Sequence, residues 1–175
     1  MRWVHFPLHP ETPQEGRALR DLFSGRSPEQ IEAQQAQMRG LMEKEGLPYG
    51  KRTHTYNSRL AQEIGAWADT QKGGEVMHDA LYNAYFVETK NIGDPDVLLG
   101  IVEANGLPVE DARKVLEERT FKDAVDEDWR KSRQYGVTGV PTFVAAGHGV
   151  VGAQPYETLE KFLKSVGATE RDAAK

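Results

Sequence analysis

The chain has 175 residues, a net charge of −5, and 38% hydrophobic against 28% charged residues. That balance suits a globular chain of one domain, or one domain with a large insertion, and its scattered basic residues exclude a nucleic-acid partner. There is no cysteine, which removes disulfides, thiolate metal ligands and thiol nucleophiles from this chain. No apolar run approaches the ~20 residues that span a membrane. The opening residues lack the apolar centre of a signal peptide, so the expectation is a cytoplasmic protein with no membrane partner.

In chain order, residues 2–6 carry Trp3, Val4 and Phe6 in weak alternation and predict a short strand closed by Pro7 and Pro10. Thr12-Pro13-Gln14-Glu15 reads as a capping box opening a short helix with Leu19, Leu22 and Phe23. Ser27-Pro28-Glu29-Gln30 repeats the signal. The helix behind it places Ile31, Met38, Leu41 and Met42 on one face and stops at Gly46. Asn57-Ser58 is a helix cap, followed by the apolar face Leu60, Ala61, Ile64, Trp67 and Ala68. Gly73-Gly74 ends that helix. Val76, Met77, Ala80, Leu81, Ala84 and Tyr85 mark the next, and Asp94-Pro95 caps one with Val97, Leu98, Ile101 and Val102. Ala112, Val115 and Leu116 mark another. Residues 121–135, with Phe121, Val125, Trp129 and Tyr135, mark a further one that ends at Gly136.

Strands return only then. Residues 142–146, a turn at Gly147-His148-Gly149 and residues 150–153 predict a β-hairpin. Pro155 opens a last helix with Tyr156, Leu159, Phe162, Leu163 and Val166 facing inward. Residues 169–175 read as a frayed tail. Strands at both ends of the sequence flank a helical block, so the fold class is α/β with a helical insertion. Pro141 opens the strand at Thr142, where a proline does not interrupt a ladder. On the residues alone a trans proline opening the strand is the expectation; the other use of such a proline is a cis Val140-Pro141 bond, which leaves the preceding backbone free to meet a ligand.

The segment Tyr135-Gly136-Val137-Thr138-Gly139-Val140-Pro141-Thr142-Phe143 resembles the cis-proline loop of DsbA-like thioredoxin-fold proteins. Val151-Gly152-Ala153-Gln154-Pro155 is similar to the segment after that hairpin in the same family. Asn57-Ser58-Arg59-Leu60-Ala61 and Asn91-Ile92-Gly93-Asp94-Pro95-Asp96-Val97-Leu98 resemble the helical insertion of its FrnE-type thiol–disulfide oxidoreductases. The resemblance implies a thioredoxin-like domain, discontinuous and incomplete, over residues 1–12 and 119–168, with a helical insertion domain over 13–118. It also implies that Gly139, Val140 and Pro141 bind substrate, Val140 pairing with a peptide or small thiol as an added strand would. The 2-hydroxychromene-2-carboxylate isomerases and kappa-class glutathione transferases share this architecture and bind glutathione against the same loop. They remain an alternative lineage.

Family members begin with a strand, a C-x-x-C motif and a helix. The first cysteine, at the helix N-terminus, attacks substrate disulfides. This sequence resembles the family from the second core strand onward, so the expectation is that a unit of roughly 30–40 residues is absent. The chain is then a truncated product, a degenerate paralogue that binds peptides without catalysis, or a chain completed by another polypeptide. No catalytic residue and no cofactor are expected, and the chain is expected to be redox-inactive. The vacant central strand position is expected to be filled, either by residues 3–6 shifting into it or by a second copy in a homodimer.

Other candidates are weaker. His5 and His9 are four apart but separated by Pro7, which forbids a helical metal pair, so no metal site is expected. His54 and His78 are isolated, and His148 is expected at the hairpin tip. Trp67, Tyr82, Tyr85 and Phe86 are expected as core, with some lining a substrate groove. Asn57 is expected to cap rather than to touch a ligand.

Overall fold

A computed structural model describes residues 2–169; the tail over 170–175 lies outside the described residues. The chain divides into two compact units, His9–Val125 and the pair of segments Met1–Leu8 and Asp126–Lys175.

The first unit is helical. Its elements are β1 (Arg17–Ala18), α1 (Leu19–Leu22), α2 (Pro28–Lys44), β2 (His54–Thr55), α3 (Arg59–Ala68), α4 (Val76–Phe86), α5 (Pro95–Ala104) and α6 (Val109–Glu118). α2 starts where its sequence says it should: Ser27 accepts from the Gln30 backbone N–H, and the Gln30 side chain reaches back to Ser27. Asp94 caps α5 by accepting from Asp96 N–H. The core joins α3 to α6 through Ile64, Trp67, Met77, Leu98, Val102 and Val115. Burying each such side chain is worth about 1.5–3 kcal/mol. Met38, Leu41 and Val76 are exposed instead, and α2 buries only Ile31.

The box at Thr12 does not open a helix. Residues 12–16 turn instead and feed β1, which pairs antiparallel with β2, Arg17 opposite Thr55. The turn depends on Gly16, whose φ is +91°; a Cβ there would lie 2.5 Å from Tyr56 Cδ1. Thr12 is buried, and its carbonyl accepts from Asn57 Nδ2 at 2.6 Å. Long-range hydrogen bonding has overridden a local capping pattern.

α7 (Lys122–Gln134) runs across the unit boundary. The second unit continues with β3 (Thr142–Ala145), β4 (His148–Val151) and α8 (Tyr156–Ser165). β3 and β4 pair antiparallel, Phe143 opposite Val150 and Ala145 opposite His148. The hairpin tip is Ala146-Gly147, at φ +49° and +80°, the two-residue turn with positive φ at both positions that suits strand twist. His148 therefore lies in β4 and not at the tip.

Residues 2–6 form no strand. They are anchored by polar bonds to α7: Arg2 Nη2 donates to Asp128 Oδ1 at 3.2 Å, and His5 N–H to Asp128 Oδ2 at 3.1 Å. The shift of residues 3–6 into the sheet is thus not seen; among the described residues β3 pairs with β4 alone. The inward face expected of α8 is only partly covered: Leu159, Phe162 and Val166 are half-buried, whereas Tyr156 and Leu163 are exposed. None of its residues is buried, and Tyr156 is 75% exposed. Every buried hydrophobic side chain among the described residues belongs to the helical unit.

Candidate functional site

α7 ends at Gly136, whose φ is +66°. Gly136 N–H donates to Arg133 O and Val137 N–H to Ser132 O, each at 3.0 Å. This reversal releases the chain into Thr138-Gly139-Val140-Pro141. The Val140–Pro141 peptide bond is cis. Two bonds pin the loop: Thr142 Oγ1 donates to Gly139 O at 2.7 Å, and Gly152 N–H donates to Pro141 O at 2.8 Å.

The bond from Gly152 extends the β3–β4 ladder by one step. Pro141, Phe143 and Ala145 therefore direct their backbone groups at the second strand. Antiparallel alternation directs those of Val140, Thr142 and Val144 to the opposite edge. Nothing among the described residues pairs with that edge. Val140 is 53% exposed. Residues 136–155 contain no Asp, Glu, Lys or Arg. The three residues expected to bind substrate thus lie together at the head of an open, uncharged strand edge. Such an edge can accept an extended main chain. It offers no thiol, and among the described residues no cluster of His, Asp or Glu is placed to hold a metal.

The two asparagines that carry the insertion resemblance have related tasks inside the helical unit. Asn57 Oδ1 accepts from Arg59 N–H at 2.9 Å, beside the start of α3, while its Nδ2 holds the Thr12 carbonyl. Asn91 Oδ1 accepts from Gly93 N–H at 2.9 Å, and its Nδ2 donates to Gln14 O at 3.0 Å. Each side chain accepts from the backbone N–H two residues on and ties down the 12–16 turn; the N-cap position of α3 is Ser58, not Asn57. Asn57→Ala is expected to lower stability by about 1–3 kcal/mol in urea unfolding, because buried backbone groups lose partners. A change below about 0.5 kcal/mol would mean the turn is held otherwise.

Of the aromatic candidates, Trp67 is core at 4% exposed, whereas Tyr82 is 52% exposed. Tyr85 and Phe86 meet edge to face, with centroids 4.7 Å apart. Arg52 lies over Tyr85, 4.2 Å from its centroid, and donates to its hydroxyl. This cation stacking was not visible in the sequence, where Arg52 sits in a loop far from Tyr85.

A second feature escaped sequence reasoning. Glu63 is fully buried on α3. Arg119 grips it with a fork, Nε to Oε2 and Nη2 to Oε1, both at 2.7 Å. Arg59 Nε donates to Oε1 at 2.6 Å. Burial pushes the carboxyl up, but the Arg119 and Arg59 guanidiniums together hold it below its ordinary value. The Arg59–Glu63 spacing of four is a sequence signal for a pair; nothing in the sequence pointed to Arg119.

Residues 1–164 match the DSBA-like thioredoxin domain, and the chain belongs to that family. It is similar to the crystal structure of a probable DsbA oxidoreductase, SCO1869 from Streptomyces coelicolor, at 27% identity and a TM-score of 0.84. That likeness covers 95% of this chain and 76% of that one. The uncharacterised Bacillus subtilis protein YwbO is 30% identical over 111 residues, 63% of this chain. The match spans 55% of YwbO, about half its length. The cytosolic disulfide reductase DsbM from Pseudomonas aeruginosa, solved with GSH, shares the fold at 22% identity and a TM-score of 0.52, over 69% of this chain and 68% of that one. The fold is the DsbA-like thioredoxin fold with a helical insertion.

Proposed function

We propose that this chain is a binding member of the thiol–disulfide oxidoreductase lineage, taking an extended peptide or a small thiol at Gly139, Val140 and Pro141 without exchanging electrons. The observation that carries this reading is the outward Val140 backbone at the head of the open β3 edge, in a chain with no cysteine. Main-chain pairing supplies affinity at such an edge, and neighbouring side chains supply selectivity. Within the family the chain belongs on the FrnE-type branch. The Asn57 and Asn91 segments support this, since both asparagines have a defined structural task.

A small thiol suits the same loop. The DsbM neighbour was solved with GSH, and glutathione carries the short extended backbone that a strand edge can hold. A cytosolic place agrees with that neighbour's setting. Among the described residues no helix is long and apolar enough to cross a membrane.

Disulfide exchange needs a thiolate to attack and a second thiol to resolve. Insulin reduction by dithiothreitol is therefore expected to run at its uncatalysed rate with this chain present. Acceleration above that rate would overturn the reading.

A further inference from the structure

We propose that the groove between α4 and α5 is a site for a small organic ammonium ion, with the charge at Asp79 and a short alkyl chain on the groove floor. The groove has a volume of about 570 Å³, within the range of small-ligand clefts, which are mostly apolar with a few placed polar groups. Ala80, Ala84 and Ile101 supply apolar lining; Ala84 and Ile101 are buried and Ala80 is half-buried. Every lining residue belongs to the helical unit. The inference therefore does not depend on the peptide or thiol reading of the Val140 loop.

The polar groups of the lining are unevenly placed. Glu88 is neutralised by Lys90, whose Nζ lies 2.6 Å from its carboxylate. Asp79 has no such counterion. Asp79 and Asn83, four apart on α4 and so on one face, have no hydrogen-bond or ion-pair partner among the described residues. The charge of Asp79 is felt instead at Tyr82, whose hydroxyl is pushed up by burial and by that carboxylate. Asn105 also lines the groove; its Nδ2 donates to Ile101 O at 2.8 Å, which leaves Oδ1 to accept. Asn105 is the C-cap of α5, and α5 has no basic residue in its last turn to offset the negative end of its dipole. Residues 87–94 join α4 to α5, and short connections make successive helices antiparallel neighbours. The C-terminal end of α5 thus lies by the Asp79 half of α4. A carboxylate without a counterion, an amide oxygen free to accept and an uncompensated helix C-terminus share one end of an apolar groove. What complements that set is a cation with an apolar body.

The test is an amide NMR titration of the 175-residue chain with n-butylammonium chloride at constant ionic strength. Saturable shifts are expected at residues 76–84 and 100–105. n-Butanol, which has the alkyl chain without the charge, should bind roughly tenfold more weakly. Asp79→Asn should weaken ammonium binding by roughly tenfold as well, and Asp79→Glu, which keeps the charge, should retain most of it. Shifts that do not saturate, or that centre outside the groove, overturn the proposal. So does n-butanol binding as tightly as the ammonium ion, binding indifferent to Asp79→Asn, or an equal loss in Asp79→Glu.

Discussion

Arg119→Ala is expected to destabilise the chain by about 3 kcal/mol, the lower end of the cost of breaking a buried ion pair. Glu63 is fully buried, and Arg119 supplies two of its bonds at 2.7 Å. The loss is kept from being larger by Arg59, which still holds Oε1, and by the exposure of the Arg119 side chain, 40%. Arg119→Lys should recover only part, since an ammonium keeps the charge but not the fork. The same cluster sets an acid limb. The folded Glu63 carboxyl titrates below its ordinary value, so its contribution is complete above the unfolded carboxylate pKa of about 4.3 and fades as pH falls through the folded one. Urea midpoints of wild type and Arg119→Ala should therefore converge as the pH is lowered. A constant gap from neutral to strongly acid pH would contradict this account of Glu63.

Leu98→Ala should cost about 2–5 kcal/mol, because Leu98 is fully buried among α3, α4 and α6 core residues and its loss leaves a cavity. Leu163→Ala, the same change on the half-exposed α8, should cost about 0.5 kcal/mol or less. The contrast comes from where the apolar surface is buried. The helical unit holds the hydrophobic core, and the hairpin unit adds no buried hydrophobic side chain to it. Chemical unfolding of the two variants side by side measures the ratio. Equal losses would place a core around α8 that the structure does not show.

What the sequence revealed was set by the range of the forces involved. Ser27 and Asp94 announced their helices because a cap satisfies donors two or three residues away. The faces of α3, α5 and α6 were legible because one period governs each. Thr12 misled for the complementary reason. Its local pattern fits a helix start, yet Asn57 and Asn91, 45 and 77 residues beyond the carbonyls they hold, bond the turn instead. Residues 3–6 have the composition of a strand, but strand character needs a neighbour, and Asp128 supplies a polar anchor rather than a ladder. The inward face assigned to α8 held in part: Leu159, Phe162 and Val166 are half-buried, while Tyr156 and Leu163 are exposed. At the candidate site, the place of Pro141 at the mouth of β3 was legible because a proline cannot donate within a ladder; the roles of Gly139, Val140 and Pro141 came from the family resemblance alone. The outward register of Val140, Thr142 and Val144 was not legible, since it depends on which residue pairs with Gly152.

The most direct test of the central claim is a two-dimensional amide NMR titration of the chain with an extended disulfide-free peptide. The account predicts saturable shifts led by the Val140 N–H, spreading to Gly139 and Thr142 and leaving the α3–α6 core still. Absence of saturation, or shifts that centre on the helical unit, would contradict it.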